Sequence, residues 1–241
     1  MEEKIKEIVS VFIKLPAAQI GAGTPIDRSV LQSSILVHRM YARLAEEGIV
    51  VENYAGIKVF GDLLAPLTQP ATSFQQAGPA PGVAADSHPG IGIDIEEIAA
   101  LPRTADFRKE AFYTLNFTAA EIAYCILQAD PYSSLTGLFA VKEAIVKADG
   151  QYRNRPFHTI GIGHSAEGKP VYPGFGLSIS HAGGMAVAVA VRSGAGSLQQ
   201  PASPVFAPSP EPAGPKPGSA AWITWIALLL AAAALLVALK R

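Results

Sequence analysis

The sequence predicts a multidomain chain: a small helical bundle, an α+β domain, and a single transmembrane helix at the C terminus. Three observations predict it. Apolar residues recur at helical spacing through residues 1–65 and give way to mixed helical and strand-like patterns over residues 90–192. Two stretches rich in Pro, Ala, Gly and Ser, residues 67–89 and 193–219, cannot build a packed face and read as linkers. Residues 221–239, AWITWIALLLAAAALLVAL, carry no charge.

In the first segment, residues 1–66, Ile5, Ile8, Val9, Phe12 and Ile13 mark one helix and Leu36, Met40, Tyr41 and Leu44 a second, with a short third segment at Val59–Leu64. Between the first two lies GAGTPIDRSVLQ, longer than a tight helix connection and therefore a place for function. Over residues 90–192 the expected order is a short alternating strand, helices near 106–112 and 118–149, and strands near 158–164, 175–181 and 185–191. The last two strands are joined by the turn Gly183-Gly184, although MAVAVAV in isolation also suits a helix.

The second linker, if extended as polyproline, spans up to about 80 Å at about 3.1 Å per residue. The apolar run at 1.5 Å per residue reaches about 28 Å, the thickness of a bilayer's hydrocarbon core. Trp222 and Trp225 suit one interface, and Lys240 and Arg241 close the other end, so residues 220–241 read as a single-pass anchor. The N-terminal MEEKIKEIVSVFIKL is acidic and amphipathic, unlike a secretory signal, which places the soluble segments in the cytoplasm. The single cysteine, Cys125, fits a reducing compartment. A net charge of −1 gives no case for nucleic-acid binding.

Three short segments carry chemistry. In GIGIDIEEI, alternation puts Ile91, Ile93 and Ile95 on one face and Gly92, Asp94 and Glu96 on the other, so two carboxylates project together. The glycines leave room for a ligand, and hard oxygen donors of this kind suit magnesium with phosphates. A solvated strand end is the alternative. In LTGLFAVKEAIVKADG, Glu143 and Lys147 are four residues apart on a helix with Lys142 beside them, either a site or a surface pair. In LSISH, Ser178 and Ser180 share a face and the strand delivers His181 to a turn, where a structural role is the alternative.

In this order, GIGIDIEEI, FTAAEIAYC, LFAVKEAIVKA, GKPVY and LSISHAGGMAVAVAV resemble the phosphopantetheinyl transferase superfamily, of the holo-acyl-carrier-protein synthase type, across nearly all of residues 90–192. The resemblance implies transfer of the 4′-phosphopantetheine arm of coenzyme A to a carrier-protein serine, with release of 3′,5′-ADP. It implies that Asp94 and Glu143 bind Mg2+, with Glu96 a third ligand as in the longer single-chain members. Lys142, Lys147, Ser180 and His181 match positions near the coenzyme A phosphates. Glu143 is the expected base, with Lys147 also catalytic. Leu138 stands where arginine is frequent, and Leu115 or Asn116 where a basic residue is usual. Single-copy members associate as homotrimers, so a trimer is expected.

The first segment resembles acyl or peptidyl carrier proteins, with AGIKVFGDLLAPL similar to the end of that fold. Aligning LAEEGI with the end of the family's second helix puts Ser34 at the phosphopantetheine attachment position, SSI replacing the usual DSL. A helix start favours the phosphodiester's charge, though serines also serve there as caps. Carrier proteins offer an acidic second helix, whereas this one carries His38, Arg39 and Arg43. The acceptor is thus a carrier domain in cis or in trans. The alternative function is a membrane-anchored carrier or scaffold with a degenerate transferase domain.

Overall fold

Helix α1, Glu2–Ile13, starts with Glu2 and Glu3 against its positive end and buries Ile5, Val9 and Ile13. It stops where Lys14 turns left-handed at φ 58°. After the loop, Asp27 accepts a hydrogen bond from the Ser29 amide to start α2, Arg28–Leu31. Gln32, at φ 59°, ends α2, and Ser33 caps α3, Ser34–Glu46. Helix α4, Phe60–Thr68, is held to the loop by Phe60 N donating to Thr24 O at 2.8 Å and by Ile26 N donating to Lys58 O at 2.9 Å. These elements enclose a core of their own, with Val9, Ile26, Met40, Leu44 and Phe60 at its centre.

The chain is described here by a computed structural model over residues 1–51, 56–68 and 90–193, all within one compact unit. The expected membrane helix and most of both linkers lie outside the described residues. Among those described, no helix is long and apolar enough to cross a membrane.

The second part opens with β1, Ile91–Glu97, followed by α5, Ala111–Asn116, α6, Ala119–Cys125, and α7, Pro131–Ala148. A two-residue hairpin, β2 (Gly163–His164) and β3 (Pro170–Val171), precedes the long strands β4, Phe175–Ala182, and β5, Met185–Arg192. The expected helix over 118–149 is in fact two. Thr118 and Glu121 form a capping box at the start of α6, and Asp130 with Pro131 begins α7 anew. The strand expected over 158–164 shrinks to two residues because Phe157–Thr159 forms a 3-10 turn.

The main sheet runs β1-β5-β4, antiparallel throughout, with Asp94 opposite Ala188 and Glu96 opposite Ala186. MAVAVAV is therefore a strand, central in its sheet. Its alanines 186, 188 and 190 are fully buried under α7, and small residues there let helix and sheet approach. The glycines at 90 and 92, just before and within β1, serve the same end, not ligand access as their size suggests. A Cβ on Gly92 would sit 1.9 Å from the Ala144 carbonyl, and one on Gly90 2.1 Å from that of Ala148. The outer face carries Ile91, Ile93 and Ile95, each more than half exposed.

The two parts share a boundary along α3. Val37, Met40, Tyr41 and Leu44 face the bundle's core, while Ile35 and Ala42 belong to the core that also holds Phe112, Phe139 and Phe157. Helix α3 is thus buried on two sides, with Arg43 and Glu46 on the side left exposed.

Candidate active site

The site gathers on β1 and α7 beneath the start of α3. Alternation along β1 turns Asp94 and Glu96 inward, where they are 2% and 1% exposed. One turn from its end, α7 brings up Glu143, and Lys147 follows one turn later. Lys147 Nζ lies 2.7 Å from Asp94 Oδ1 and also donates to the Ile93 carbonyl at 3.0 Å. From the bundle, Arg28 reaches the same oxygen at 3.4 Å and stands 3.9 Å from Glu143 Oε2. Asp94 Oδ2 is buried with no hydrogen-bond partner.

Glu96 is engaged by α3. Ser33 Oγ donates to its Oε2 at 2.7 Å, and the Ser34 amide donates to its Oε1 at 3.0 Å. Burial pushes its carboxyl above the ordinary range, and the charge of Asp94 adds to the shift while Ser33 opposes it. Burial pushes Glu143 up to about 7, reinforced by Asp94 and Glu96 and opposed by Arg28 and Lys147. Three close carboxylates, one with an orphaned oxygen, form a site short of positive charge. Such a donor set fits a hard divalent cation. Among the described residues, no group of three or more His, Cys, Asp or Glu side chains is arranged to hold a metal ion.

His38, one turn beyond Ser34, inserts beside the rings of Phe157 and Phe139 at centroid distances of 4.6 and 5.2 Å. Asn116 donates through Nδ2 to Phe112 O, which fixes its Oδ1 toward His38 Nδ1 at 2.5 Å. Nδ1 is thus the donor, and Nε2 looks toward Glu143 at 4.0 Å. Burial lowers the His38 pKa to about 4, so the ring is neutral.

Four expected site residues, Asp94, Glu96, Glu143 and Lys147, come together, and Ser34 joins them from the bundle. Lys142 does not. It is fully buried, and its ammonium donates to Glu121 at 2.8 Å, Asn116 O at 2.7 Å and Phe157 O at 3.0 Å. All three donors are spent, leaving none for a phosphate, so this lysine is structural. Ser180 is exposed on the outer face of the sheet. His181 bonds the Ser133 carbonyl and lines a separate groove of about 570 Å3 that none of the three carboxylates borders. Cys125 is buried with its thiol pushed up to about 12, which removes it as a nucleophile.

The sequence reading missed Arg28 and His38 as site residues. His38 and Arg39 had stood out as basic residues on the second helix, and both prove to be docking contacts. Arg39 donates to the Ala100 carbonyl at 2.8 Å.

An antiparallel sheet backed by one long helix, with a buried carboxylate cluster at their junction, defines an α+β domain. Residues 90–183 match the family model described as the 4′-phosphopantetheinyl transferase superfamily. Two relatives are holo-[acyl-carrier-protein] synthases. That of Chlorobaculum tepidum is 41% identical over 111 residues, covering 42% of this chain and 95% of the relative. That of Thermodesulfovibrio yellowstonii is 33% identical over 108 residues, covering 42% of this chain and 96% of the relative. A solved structure of the Helicobacter pylori holo-[acyl-carrier-protein] synthase in complex with coenzyme A is 30% identical, covering 43% of this chain and 99% of that one, at a TM-score of 0.36. This chain belongs to the 4′-phosphopantetheinyl transferase superfamily.

Proposed function

We propose that this chain is a holo-[acyl-carrier-protein] synthase, which transfers the 4′-phosphopantetheine arm of coenzyme A to a serine of a carrier protein and releases 3′,5′-ADP. The observation that carries the site assignment is the orphaned Oδ2 of Asp94 beside Glu143 and Glu96. A buried oxygen left without a donor is costly unless the working enzyme supplies one.

Asp94 and Glu143 are the residues that would hold Mg2+, with Glu96 the third carboxylate. A carboxylate has about four lone-pair sites, so the two hydrogen bonds from α3 leave Glu96 capacity for a cation. The chemistry a bound magnesium ion supplies is neutralisation of the pyrophosphate and of the charge that develops on its oxygens. The protein's own groups do the rest. Lys147 fixes the Asp94 carboxylate and brings positive charge to the phosphates. Glu143 accepts the serine's proton.

Coenzyme A contacts are assigned to Lys147, and to Ser180 and His181 on the far side of α7. That division fits a site completed by a second copy of the chain. The exposed Ile91, Ile93 and Ile95 supply an apolar face for such self-association, which we take to be trimeric. The bundle of residues 1–66 is read as carrier-like, with Ser34 as its acceptor. The chain is read as held at a membrane by residues 220–241, soluble segments on the cytoplasmic side. The support for the anchor is the uncharged run 221–239.

The test is arm transfer from coenzyme A to an apo carrier protein by the intact chain and by its Asp94→Ala and Glu143→Ala variants. Undiminished transfer by either variant removes the assigned site.

A further inference from the structure

The serine-bearing helix is docked on the transferase, and the docking is specific. Ile35 and Ala42 are built into the α+β core, Arg39 bonds the Ala100 carbonyl, and His38 bonds Asn116. The start of α3 is pinned to β1 by two hydrogen bonds to Glu96. The two serines there stand in different surroundings. Ser33 Oγ donates to Glu96 and accepts from the Leu36 amide at 3.4 Å, so it is consumed as a cap. Ser34 lines a groove of about 290 Å3 between the bundle and the α+β part, and Glu143 lines the same groove.

The charge of that groove is the second observation. Arg28 and Lys58 of the bundle and Arg153 and Arg155 of the loop after α7 border it. Four cations from both parts converge where a serine and a catalytic carboxylate meet. Asp27 and Glu143 border the groove too, so cations outnumber carboxylates four to two, and guanidinium groups favour phosphate through paired hydrogen bonds. At 290 Å3 it lies just below the about 300–1,000 Å3 of sites that enclose a drug-sized ligand, so it suits the phosphate-bearing end of a larger molecule.

We infer that the bundle is this enzyme's own acceptor: the pyrophosphate of coenzyme A lies where the groove between the two parts meets Glu143, and its phosphopantetheine passes in cis to Ser34. This rests on the transferase reading above. In the step, Ser34 Oγ forms a bond to the phosphorus that bears pantetheine. The bond from that phosphorus to the bridging oxygen breaks, and 3′,5′-ADP leaves with the bridging oxygen. The hydroxyl proton goes to Glu143. No other reactant is needed.

The experiment uses the intact chain, purified without the modification, with coenzyme A, Mg2+ and a separate apo acyl carrier protein in one tube, read by intact mass and peptide mapping. The expected result is one phosphopantetheine on the peptide containing Ser33 and Ser34. It is lost in Ser34→Ala and kept in Ser33→Ala, and its first-order rate does not change over a hundredfold dilution of enzyme across which the sedimentation coefficient is constant. Arg153→Glu with Arg155→Glu, both exposed, lowers the rate at limiting coenzyme A at least tenfold without changing the circular dichroism spectrum. Loading of the separate carrier while Ser34 stays bare overturns the inference and leaves the transferase intact. Modification of Ser33, or a rate proportional to enzyme concentration, also overturns it. If neither acceptor is loaded, the transferase reading itself fails.

Discussion

The backbone N–H of Ser34 donates a 3.0 Å hydrogen bond to Oε1 of Glu96, joining residues 62 positions apart and setting the start of α3 on the strand that carries Asp94. Ser33 adds a hydroxyl to the same carboxylate. Replacing Glu96 by Ala strands a buried amide and a hydroxyl, which costs about 1–3 kcal/mol. Denaturant unfolding should show that loss, and hydrogen exchange should show faster exchange at amides 33–36. Unchanged exchange there means that the carboxylate does not hold the helix.

Lys142 and Glu121 form a buried pair 2.8 Å apart, and Glu121 also accepts from the Thr118 and Ile162 amides. Lys142→Met leaves a carboxylate uncompensated in the core and should cost about 3–5 kcal/mol. Pairing it with Glu121→Gln should recover part of that. Because the ammonium has no donor left for a ligand, KM for coenzyme A of the folded variant stays within about twofold of wild type, well under the 1.4 kcal/mol of a tenfold change. A tenfold rise in KM with unchanged stability would restore Lys142 to the phosphate site.

Stability should depend on pH through Glu143. Its folded pKa of about 7 lies above the ordinary 4.5, because of burial first and the charges of Asp94 and Glu96 second. The folded state therefore binds the extra proton. The stability this group contributes is full below about pH 4.5 and is lost as pH rises through about 7. Without metal, the melting temperature should fall between pH 5.5 and 8 more steeply in wild type than in Glu143→Gln. Added Mg2+ should raise it more at pH 8 than at pH 5.5, since the ionised carboxylates are the better ligands. Equal slopes in the two proteins would contradict the assignment.

The outer face of β1 gives a prediction about assembly. Ile93 is 57% exposed at the middle of an apolar row flanked by Val187, Val189 and Val191 of β5. Ile93→Asp should shift the sedimentation of the soluble part from trimer to monomer while its circular dichroism is retained. A wild-type protein that sediments as a monomer over the whole concentration range contradicts the proposal.

Much of the second part was legible because strand alternation is local. Period two alone put Asp94 and Glu96 together on one face, and the SH-A-GG turn between two apolar runs located β4 and β5. The break at Pro131 was also legible, since Asp-Pro is a helix start, but the continuous apolar pattern on either side concealed it. Lys142 misled for a physical reason. Motif position places it beside the phosphates, yet it sits among Leu138, Phe139, Val141 and Ile145, a setting in which a lysine is buried and needs an acid. Arg28 and His38 could not be placed from local pattern, because their partners lie in the other part of the chain.

The measurement that tests the account most directly is phosphopantetheine transfer by the intact enzyme, followed as 3′,5′-ADP release with coenzyme A, Mg2+ and an apo acyl carrier protein. Wild type should turn over. Asp94→Ala and Glu143→Ala should each lose roughly 100-fold or more, as expected for removal of a principal charge-stabilising group, with folding intact by circular dichroism. Turnover within a few-fold of wild type in either variant would contradict the carboxylate site on which the account depends.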